Sequence, residues 1–243
     1  HRDLSAQLTK GLDLNRVMAQ FWGRIDGYTR GRDGNSHIGD WQGNRTWTVM
    51  SHLPIAYPVA CGAALAYKMR GQPRVAMAIC GDGATSNGRW HEALNISAIH
   101  QLPVVWIVNN NLYAYSTPNP LEFPVPTIAE RAGAYGMPGV RVDAQDVLDV
   151  YRLARDAVER AREGGGPTLI ESLSLRWRGH AGHDPAKYVP KELLEEYMTQ
   201  KDPVRRFEEL GVAAGGLGGT EKQKAAGFER PMKGRQQYLL ERR

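Results

Sequence analysis

Residues 74–118 read RVAMAICGDGATSNGRWHEALNISAIHQLPVVWIVNNNLYAYSTP, and this stretch decides the fold. It begins with an unbroken apolar run at 75–80, which is typical of a strand buried on both faces of a parallel sheet. The run ends in Gly81-Asp82-Gly83, where the glycines allow the backbone to turn sharply and to approach a ligand closely. The opening of the stretch therefore predicts a strand that leads into a ligand-binding turn.

The second half of the stretch predicts a helix and another buried strand. Asn87-Gly88 leads into helical spacing, with Trp90, Leu94, Ala98 and Ile99 on one face, and a second apolar run at 104–108 stops at three asparagines. Strand, glycine turn, helix and strand make a βαβ unit, whose parallel strands have their carboxyl ends at one edge. We therefore expect Asp82 and Asn111 to lie close together at that edge.

Asp82 and Asn111 carry the kind of oxygen atoms that bind a divalent cation. Carboxylate, amide and carbonyl oxygens are hard ligands, and they suit a cation that also keeps positions for phosphate. Backbone amides of the glycine turn and of the nearby helix N-terminus are donors for such a phosphate. The alternative is an ordinary βαβ turn in which Asp82 caps the helix and the asparagines form a loop.

A Gly-Asp-Gly turn followed at this spacing by paired asparagines resembles the metal–diphosphate motif of thiamine diphosphate enzymes. The longer strings GDGATSNGRWHEALNISAIHQLPVV and NNNLYAYSTP resemble the α subunit of the E1 component of 2-oxo acid dehydrogenase complexes. That family includes pyruvate, branched-chain 2-oxo acid and acetoin dehydrogenases, and the resemblance runs from about residue 1 to about residue 210. It implies thiamine diphosphate and Mg²⁺ as cofactors and decarboxylation of a small 2-oxo acid, with transfer of the acyl group to a lipoyl domain.

The same resemblance implies a role for particular side chains. The metal ligands are expected to be Asp82, Asn111 and the carbonyl of Tyr113, and the catalytic imidazoles are expected at His37 and His180. The other residues expected to contact the cofactor are Arg2, Ser51, Leu53, Gly81, Gly83, Ala84 and Arg176. His180 is also expected near the diphosphate, and Leu53 is expected to hold the cofactor in its bent form.

Four positions depart from the family pattern. His1 stands where a tyrosine often precedes the arginine at position 2, which leaves the contact of Arg2 open. Ile55 and Ala56 replace polar groups that hold a monovalent cation in branched-chain members, so we expect no such ion here. Ala181 replaces the regulatory serine, so we expect no control by phosphorylation at that loop.

Other functions remain open from the sequence. An acetoin-cleaving enzyme would use the same cofactor, and a non-catalytic scaffold subunit would retain the fold. A nicotinamide-binding domain is disfavoured because no G-x-G-x-x-G follows the relevant strand. His180, His183 and Asp184 suggest a metal site, but no cysteine or further histidine completes a tetrahedral set.

The rest of the chain alternates helical and strand patterns, which predicts an α/β fold with a doubly wound, mostly parallel sheet flanked by helices. The predicted segments are two short helices broken near Gly11, helices at 59–69, 127–134 and 146–162, strands near 140–142 and at 168–175, and helices that start at Pro190 and after Asp202. We expect a thiamine diphosphate-binding domain at 1–212, followed by a glycine-rich linker and basic tail at 213–243.

Composition limits the partners and the compartment. The net charge is +5, but residues 221–243 hold seven Lys or Arg against three Glu, so the body is nearly neutral and nucleic acid is not an expected partner. No apolar run is long enough for a membrane span, and Cys61 and Cys80 lie in apolar stretches that suit burial in a reducing compartment. We expect a cytoplasmic protein, with the mitochondrial matrix as the alternative.

The chain begins at His1, which suggests truncation or processing. The resemblance implies a β partner in an α2β2 assembly.

Overall fold

A computed structural model describes residues 4–47 and 51–213 of the chain. Its α-helices are α1 (Leu4–Thr9), α2 (Leu14–Phe21), α3 (Trp41–Asn44), α4 (Ala56–Met69), α5 (Gly88–Ile99), α6 (Val147–Arg162), α7 (Lys191–Thr199) and α8 (Pro203–Ala213). Its strands are β1 (Ala76–Gly81), β2 (Val104–Asn110), β3 (Tyr113–Ala114), β4 (Thr117–Pro118), β5 (Gly139–Asp143) and β6 (Thr168–Leu173). Segments Asp82–Ser86, Asn119–Leu121 and Ala129–Tyr135 are 3₁₀ helices. The tail predicted from residue 213 lies, beyond Ala213, outside the described residues.

The main sheet has four parallel strands in the order β1-β2-β6-β5. Gly81 of β1 pairs with Asn109 of β2, and Asn110 pairs with Leu173 of β6, so three strands end at nearly the same level. The short strands β3 and β4 form a separate antiparallel pair just after β2. The α/β class with a parallel sheet flanked by helices is confirmed.

Alternate residues of β2 face two different helical layers. Trp106 is fully buried on the side of α4 and α5, where its ring stacks on Tyr57 with centroids 4.6 Å apart. Val105 points the other way and packs in a cluster with Ala157 of α6. Removing the Trp106 side chain would cost about 3–5 kcal/mol, because it would leave a large cavity in the main core.

Side-chain caps explain where the two long layer helices begin. Asn87 accepts a hydrogen bond from the backbone amide of Arg89 at 3.0 Å, and α5 starts there. Asp146 accepts from the amides of Leu148 and Asp149 at 3.1 and 3.0 Å at the start of α6. The predicted starts of these helices therefore agree with the capping geometry.

Three local expectations were wrong. The helix expected at 127–134 is a 3₁₀ helix at Ala129–Tyr135, and the strand expected to reach residue 175 ends at Leu173. Ile99, expected on the apolar face of α5, is 67% exposed, because the chain turns through a left-handed Gln101 and buries Leu102 instead.

Two further expectations concern cysteines and membrane spans. Cys61 and Cys80 are both buried and free, as predicted. Within residues 4–47 and 51–213, no helix is long and apolar enough to cross a membrane.

Candidate active site

A cavity of about 350 Å³ opens where β1, β2 and β6 end. It is lined by Leu53, Gly81, Asp82, Gly83, Ala84, Asn109, Asn111, Tyr113, Ala114, Tyr115, Ser174, Leu175, Arg176 and His180. Most of the residues that the sequence assigned to a cofactor site are therefore neighbours in space. The carboxyl edge of a parallel sheet is where such folds bind ligands.

The two glycines of the turn meet different surroundings. A Cβ on Gly81 would meet no atom within 4 Å, so the backbone there faces open space in the cavity. A Cβ on Gly83 would overlap the side chain of Ala114 in β3. Gly81 therefore leaves room for a ligand, whereas Gly83 lets the 3₁₀ helix pack against the hairpin.

Asp82 is buried among polar groups at the base of the cavity. The residue is 2% exposed, and its carboxylate accepts hydrogen bonds from Asn111 Nδ2 at 3.4 Å and from Asn119 Nδ2 at 2.8 Å. Burial raises the pKa of the Asp82 carboxyl, although the bond from Asn119 and the charge of Arg176 oppose this. A cation beside these oxygens would stabilise the ionised form that burial disfavours.

The three consecutive asparagines, at positions 109–111, make different hydrogen bonds. Asn109 Oδ1 accepts from the hydroxyl of Ser174 at 2.7 Å, which ties β2 to the end of β6. Asn110 donates to the fully buried Glu171 at 2.7 Å and accepts from the amide of Leu112 at 3.0 Å. Of these three, Asn111 alone contacts Asp82, through Nδ2 at the 3.4 Å already given, and its Oδ1 accepts from Arg176 Nη1 at 3.5 Å. The loop after β2 is thus fixed by its neighbours, while Asn111 lines the cavity.

Arg176 leaves the end of β6 and fixes the loop that carries His180. Its Nη2 donates to the carbonyl of Tyr115 at 2.8 Å and to the hydroxyl of Tyr188 at 2.7 Å. Tyr188 donates in turn to Asp184 Oδ2 at 2.7 Å, and the His180 amide donates to the same oxygen at 2.6 Å. The Tyr188 bond, with backbone bonds and the charge of Arg176, lowers the pKa of Asp184 to about 2. The loop is thus held by charge-assisted bonds at its base.

The imidazole of His180 lies against an aromatic ring at the cavity. Its centroid is 4.7 Å from that of Tyr115, whose hydroxyl lies 3.4 Å from His183 Nε2. The alternative of a metal site at His180, His183 and Asp184 is wrong: among the described residues, no group of three or more His, Cys, Asp or Glu side chains could hold a metal ion. The oxygens of Asp184 are used by hydrogen bonds inside the loop.

His37 and Ser51 form a second polar site. His37 Nδ1 lies 2.6 Å from Asp33 Oδ2, and its Nε2 lies 2.8 Å from the Ser51 hydroxyl. The bond from His37 is the main cause that lowers the pKa of Asp33. A carboxylate only accepts, so in the neutral ring Nδ1 carries the proton and Nε2 accepts from Ser51. Neither His37 nor Ser51 is among the described residues that line the cavity at the sheet edge.

Leu53, Ile55 and Ala56 line a second cavity next to the one at the sheet edge. Arg2 lies outside the described residues. Leu53 lines the cavity at the sheet edge and also an adjacent, mostly apolar cavity of about 260 Å³. Ile55 and Ala56 line only the second of these two. No polar side chain stands at Ile55 or Ala56 to hold a monovalent cation.

Sequence reasoning missed the residues that support this site. Asp33, Tyr115, Asn119 and Glu171 are in this group, and all but Asp33 act through a contact between distant segments. Asp33 lies four positions before His37, and that spacing was the one local signal that was available. The others depend on how loops fold back, which residue periodicity does not report.

Comparison with known proteins gives a consistent result. Residues 1–227 match the family described as dehydrogenase E1 component. The chain is 38% identical over 208 residues to the α subunit of acetoin:2,6-dichlorophenolindophenol oxidoreductase from Bacillus subtilis, covering 86% of this chain and 62% of that protein. It is 37% identical over 215 residues to the pyruvate dehydrogenase E1 component subunit alpha of Porphyra purpurea, with the same coverages of 86% and 62%.

A third relative comes from Mycobacterium tuberculosis. The 3-methyl-2-oxobutanoate dehydrogenase subunit alpha is 39% identical over 190 residues, which is 75% of this chain and 52% of that protein. The chain thus spans less than two thirds of the length of these relatives. The match to the family nevertheless extends over nearly the whole sequence, so this chain belongs to the dehydrogenase E1 component family.

Proposed function

We propose that this chain is the α subunit of a 2-oxo acid dehydrogenase E1 component, and that the cavity at the sheet edge binds the diphosphate end of thiamine diphosphate through Mg²⁺. The observation that carries the proposal is the buried carboxylate of Asp82 beside Asn111, in a cavity that also holds Arg176 and His180. The expected substrate is pyruvate or a branched-chain 2-oxo acid.

The residues present fit these groups. Asp82, Asn111 and the Tyr113 carbonyl offer hard oxygen ligands, and all three residues line the same cavity. Arg176 supplies a positive charge for the diphosphate, at the same cavity. Gly81 leaves open space where a side chain would intrude.

Thiamine diphosphate, when bound, supplies the chemistry that decarboxylates a 2-oxo acid by storing its electron pair. The chain holds and orients that cofactor. Asp82, Asn111 and the Tyr113 carbonyl would hold the metal, and Ser51 and Leu53 would contact the aminopyrimidine end, with Leu53 supporting it there.

The two imidazoles handle charge and protons. His180 stabilises negative charge near the diphosphate, together with Arg176. His37 accepts a proton at Nε2, because Nδ1 already carries a proton, which it donates to the Asp33 carboxylate. Arg2 completes the diphosphate contacts in this proposal.

Partners and location follow from the same proposal. A β subunit completes the active site in an α2β2 assembly, and a lipoyl domain of an acyltransferase core receives the acyl group. The cytoplasmic location and the division at residues 212 and 213 stay predictions. Acetoin cleavage is the second candidate, because one of the relatives carries an acetoin enzyme's name. A scaffold subunit that has lost catalysis is disfavoured by the paired Asp82 and Asn111.

The test is reconstitution of the full chain with its β subunit, thiamine diphosphate and Mg²⁺, assayed against pyruvate, branched-chain 2-oxo acids and acetoin. We expect turnover of a 2-oxo acid that requires both subunits and is abolished by EDTA. Turnover of acetoin alone would favour the second candidate. Cofactor binding without turnover of any substrate would support a scaffold, and robust decarboxylation by the chain alone would contradict the shared site.

A further inference from the structure

Asn119 joins the two halves of the proposed metal site, although no family motif in the sequence includes it. Its side chain donates from Nδ2 to Asp82 Oδ2 at 2.8 Å. Its backbone amide donates to the carbonyl of Leu112 at 3.1 Å, inside the loop that carries Asn111 and Tyr113. One residue therefore contacts both the carboxylate after β1 and the loop after β2.

We propose that Asn119 is a positioning residue that fixes the Asp82 carboxylate, so that Oδ1 faces the cavity beside Asn111 and is oriented to bind a divalent cation. This inference rests on the proposed function and extends it to a residue outside the cavity lining. The bond at Oδ2 is short, whereas the contact of Oδ1 with Asn111 Nδ2 is 3.4 Å and is weak. A cation near Oδ1 would displace that weak contact, while the bond from Asn119 to Oδ2 could remain.

Asn119 is itself held in place. It begins the 3₁₀ helix Asn119–Leu121 directly after β4, and its carbonyl accepts from the amide of Glu122 at 2.9 Å. Glu122 Oε1 accepts from the amide of Ala114 at 2.8 Å and lies 3.5 Å from Asn119 Nδ2. The β3–β4 hairpin is thus held beside Asp82 by two contacts. Glu122 binds Ala114 of β3, and Asn119, directly after β4, binds Asp82.

This geometry predicts an effect on metal binding that can be measured separately from any effect on folding. A side chain that orients a metal ligand contributes typically about 10- to 100-fold to metal affinity. Without the amide of Asn119, the buried Asp82 carboxylate loses its bond at Oδ2, so its orientation is held less firmly and ion binding must restrict it further. Thiamine diphosphate affinity should fall only when it is measured with limiting Mg²⁺.

The test uses the full chain purified with its β subunit, and compares Asn119→Ala and Asn119→Leu with wild type. Leucine nearly keeps the volume of asparagine but cannot donate. Thr117→Ala, at an exposed position of the same hairpin, is the matched control. Mg²⁺ affinity is titrated at saturating thiamine diphosphate, the EPR spectrum of bound Mn²⁺ is recorded, and urea unfolding is followed without ligands.

We expect both Asn119 variants to bind Mg²⁺ about 10- to 100-fold more weakly, with an altered Mn²⁺ spectrum. Both Asn119 variants should also lower the urea midpoint without ligands, because the buried Asp82 carboxylate loses a donor, but only the loss of Mg²⁺ affinity and the altered Mn²⁺ spectrum report on metal binding. Thr117→Ala should match wild type throughout. If wild type binds Mg²⁺ and the Asn119 variants bind it equally well, this inference is overturned and the proposed function remains intact. A wild type that shows no Mg²⁺-dependent binding of thiamine diphosphate would overturn both.

Discussion

Gly179 lies against the backbone of Asp184 so closely that no side chain fits between them. A Cβ on Gly179 would overlap the carbonyl oxygen of Asp184. The contact closes the turn around His180, whose amide donates to the Asp184 side chain at 2.6 Å. Asp184 therefore fixes the loop through both its backbone and its carboxylate. Only a residue without a side chain at position 179 allows the two backbone segments to lie this close.

The first prediction compares the two glycines that flank His180. Gly179→Ala should push the Asp184 backbone away and disrupt the loop, whereas a Cβ on Gly182 would meet no atom within 4 Å. We expect at least a 10-fold fall in activity of the assembled enzyme for Gly179→Ala and little change for Gly182→Ala. Steady-state kinetics of the two variants make this comparison. An equal loss of activity in both would contradict a special role for the contact between Gly179 and Asp184.

The second prediction concerns Asp82→Asn. Burial raises the folded-state pKa of this carboxyl, so its stabilising contribution falls as the pH rises through the interval between the unfolded and folded values. At neutral pH, without a cation, burial of the Asp82 carboxyl therefore opposes folding. We expect Asp82→Asn to raise the thermal midpoint of the unliganded chain and to abolish its increase with Mg²⁺ and thiamine diphosphate.

Asp26→Asn is the control for that experiment, because Asp26 is exposed. It should leave both the unliganded midpoint and the ligand-induced shift unchanged. A lower unliganded midpoint for Asp82→Asn would mean that Asp82 supports the fold, as a helix cap would.

The sequence predicted the βαβ unit and the meeting of Asp82 and Asn111 because both depend on short-range patterns. An apolar run, a glycine turn and a helical period determine which strand ends share an edge. The structure brings these two side chains within hydrogen-bond distance. The roles assigned to them stay predictions.

Asn119 and Glu171 could not be predicted, because their contacts depend on tertiary structure. Asn119 reaches Asp82 across 37 positions after a hairpin return, and Glu171 reaches Asn110 across 61 positions inside the sheet. Nothing in the residue spacing distinguishes such a buried Glu from a solvated one. The 3₁₀ helix at Ala129–Tyr135 was missed because its composition suits an α-helix equally well.

The third prediction is a pH dependence of stability that originates at His91. Arg131 Nη2 donates to His91 Nε2 at 3.0 Å, so the ring is neutral and its Nδ1 lies 2.5 Å from the Tyr135 hydroxyl. Burial, then the charge of Arg131, lowers the pKa of His91. The unfolded chain therefore takes up the proton first, and stability is lost as the pH falls below about 6.5.

His91→Gln tests this origin. The variant should lose less free energy of unfolding between about pH 7 and pH 5 than wild type, even if it is less stable at pH 7. His100→Gln, at the exposed end of the same helix, should keep the wild-type slope. Parallel curves for wild type and His91→Gln would assign the acid sensitivity to another group.

The fourth prediction concerns the bond between Asp33 and His37. Asp33→Asn removes the negative charge that holds the proton on His37 Nδ1. In the wild type, Asp33 Oδ2 lies 2.6 Å from that nitrogen. We expect kcat to fall about 10- to 100-fold, as for other residues that orient a functional histidine. The ¹⁵N shifts of the His37 ring should show mixed tautomers, whereas Ser51→Ala should leave Nδ1 protonated. A single unchanged tautomer in Asp33→Asn would contradict the assignment.

The last prediction is that cofactor adds order to the loop at 178–188. Asp184 accepts from the amides of His180 and Ala186, so we expect these amides to be partly protected even without cofactor. A bound diphosphate would give Arg176 and His180 an anionic partner, and the loop should then exchange its amide hydrogens more slowly. Hydrogen exchange should slow at 178–188 with Mg²⁺ and thiamine diphosphate, while peptides of α6 stay unchanged. Asp82→Asn should lose this added protection. Equal exchange with and without bound cofactor would identify His180 as a structural residue.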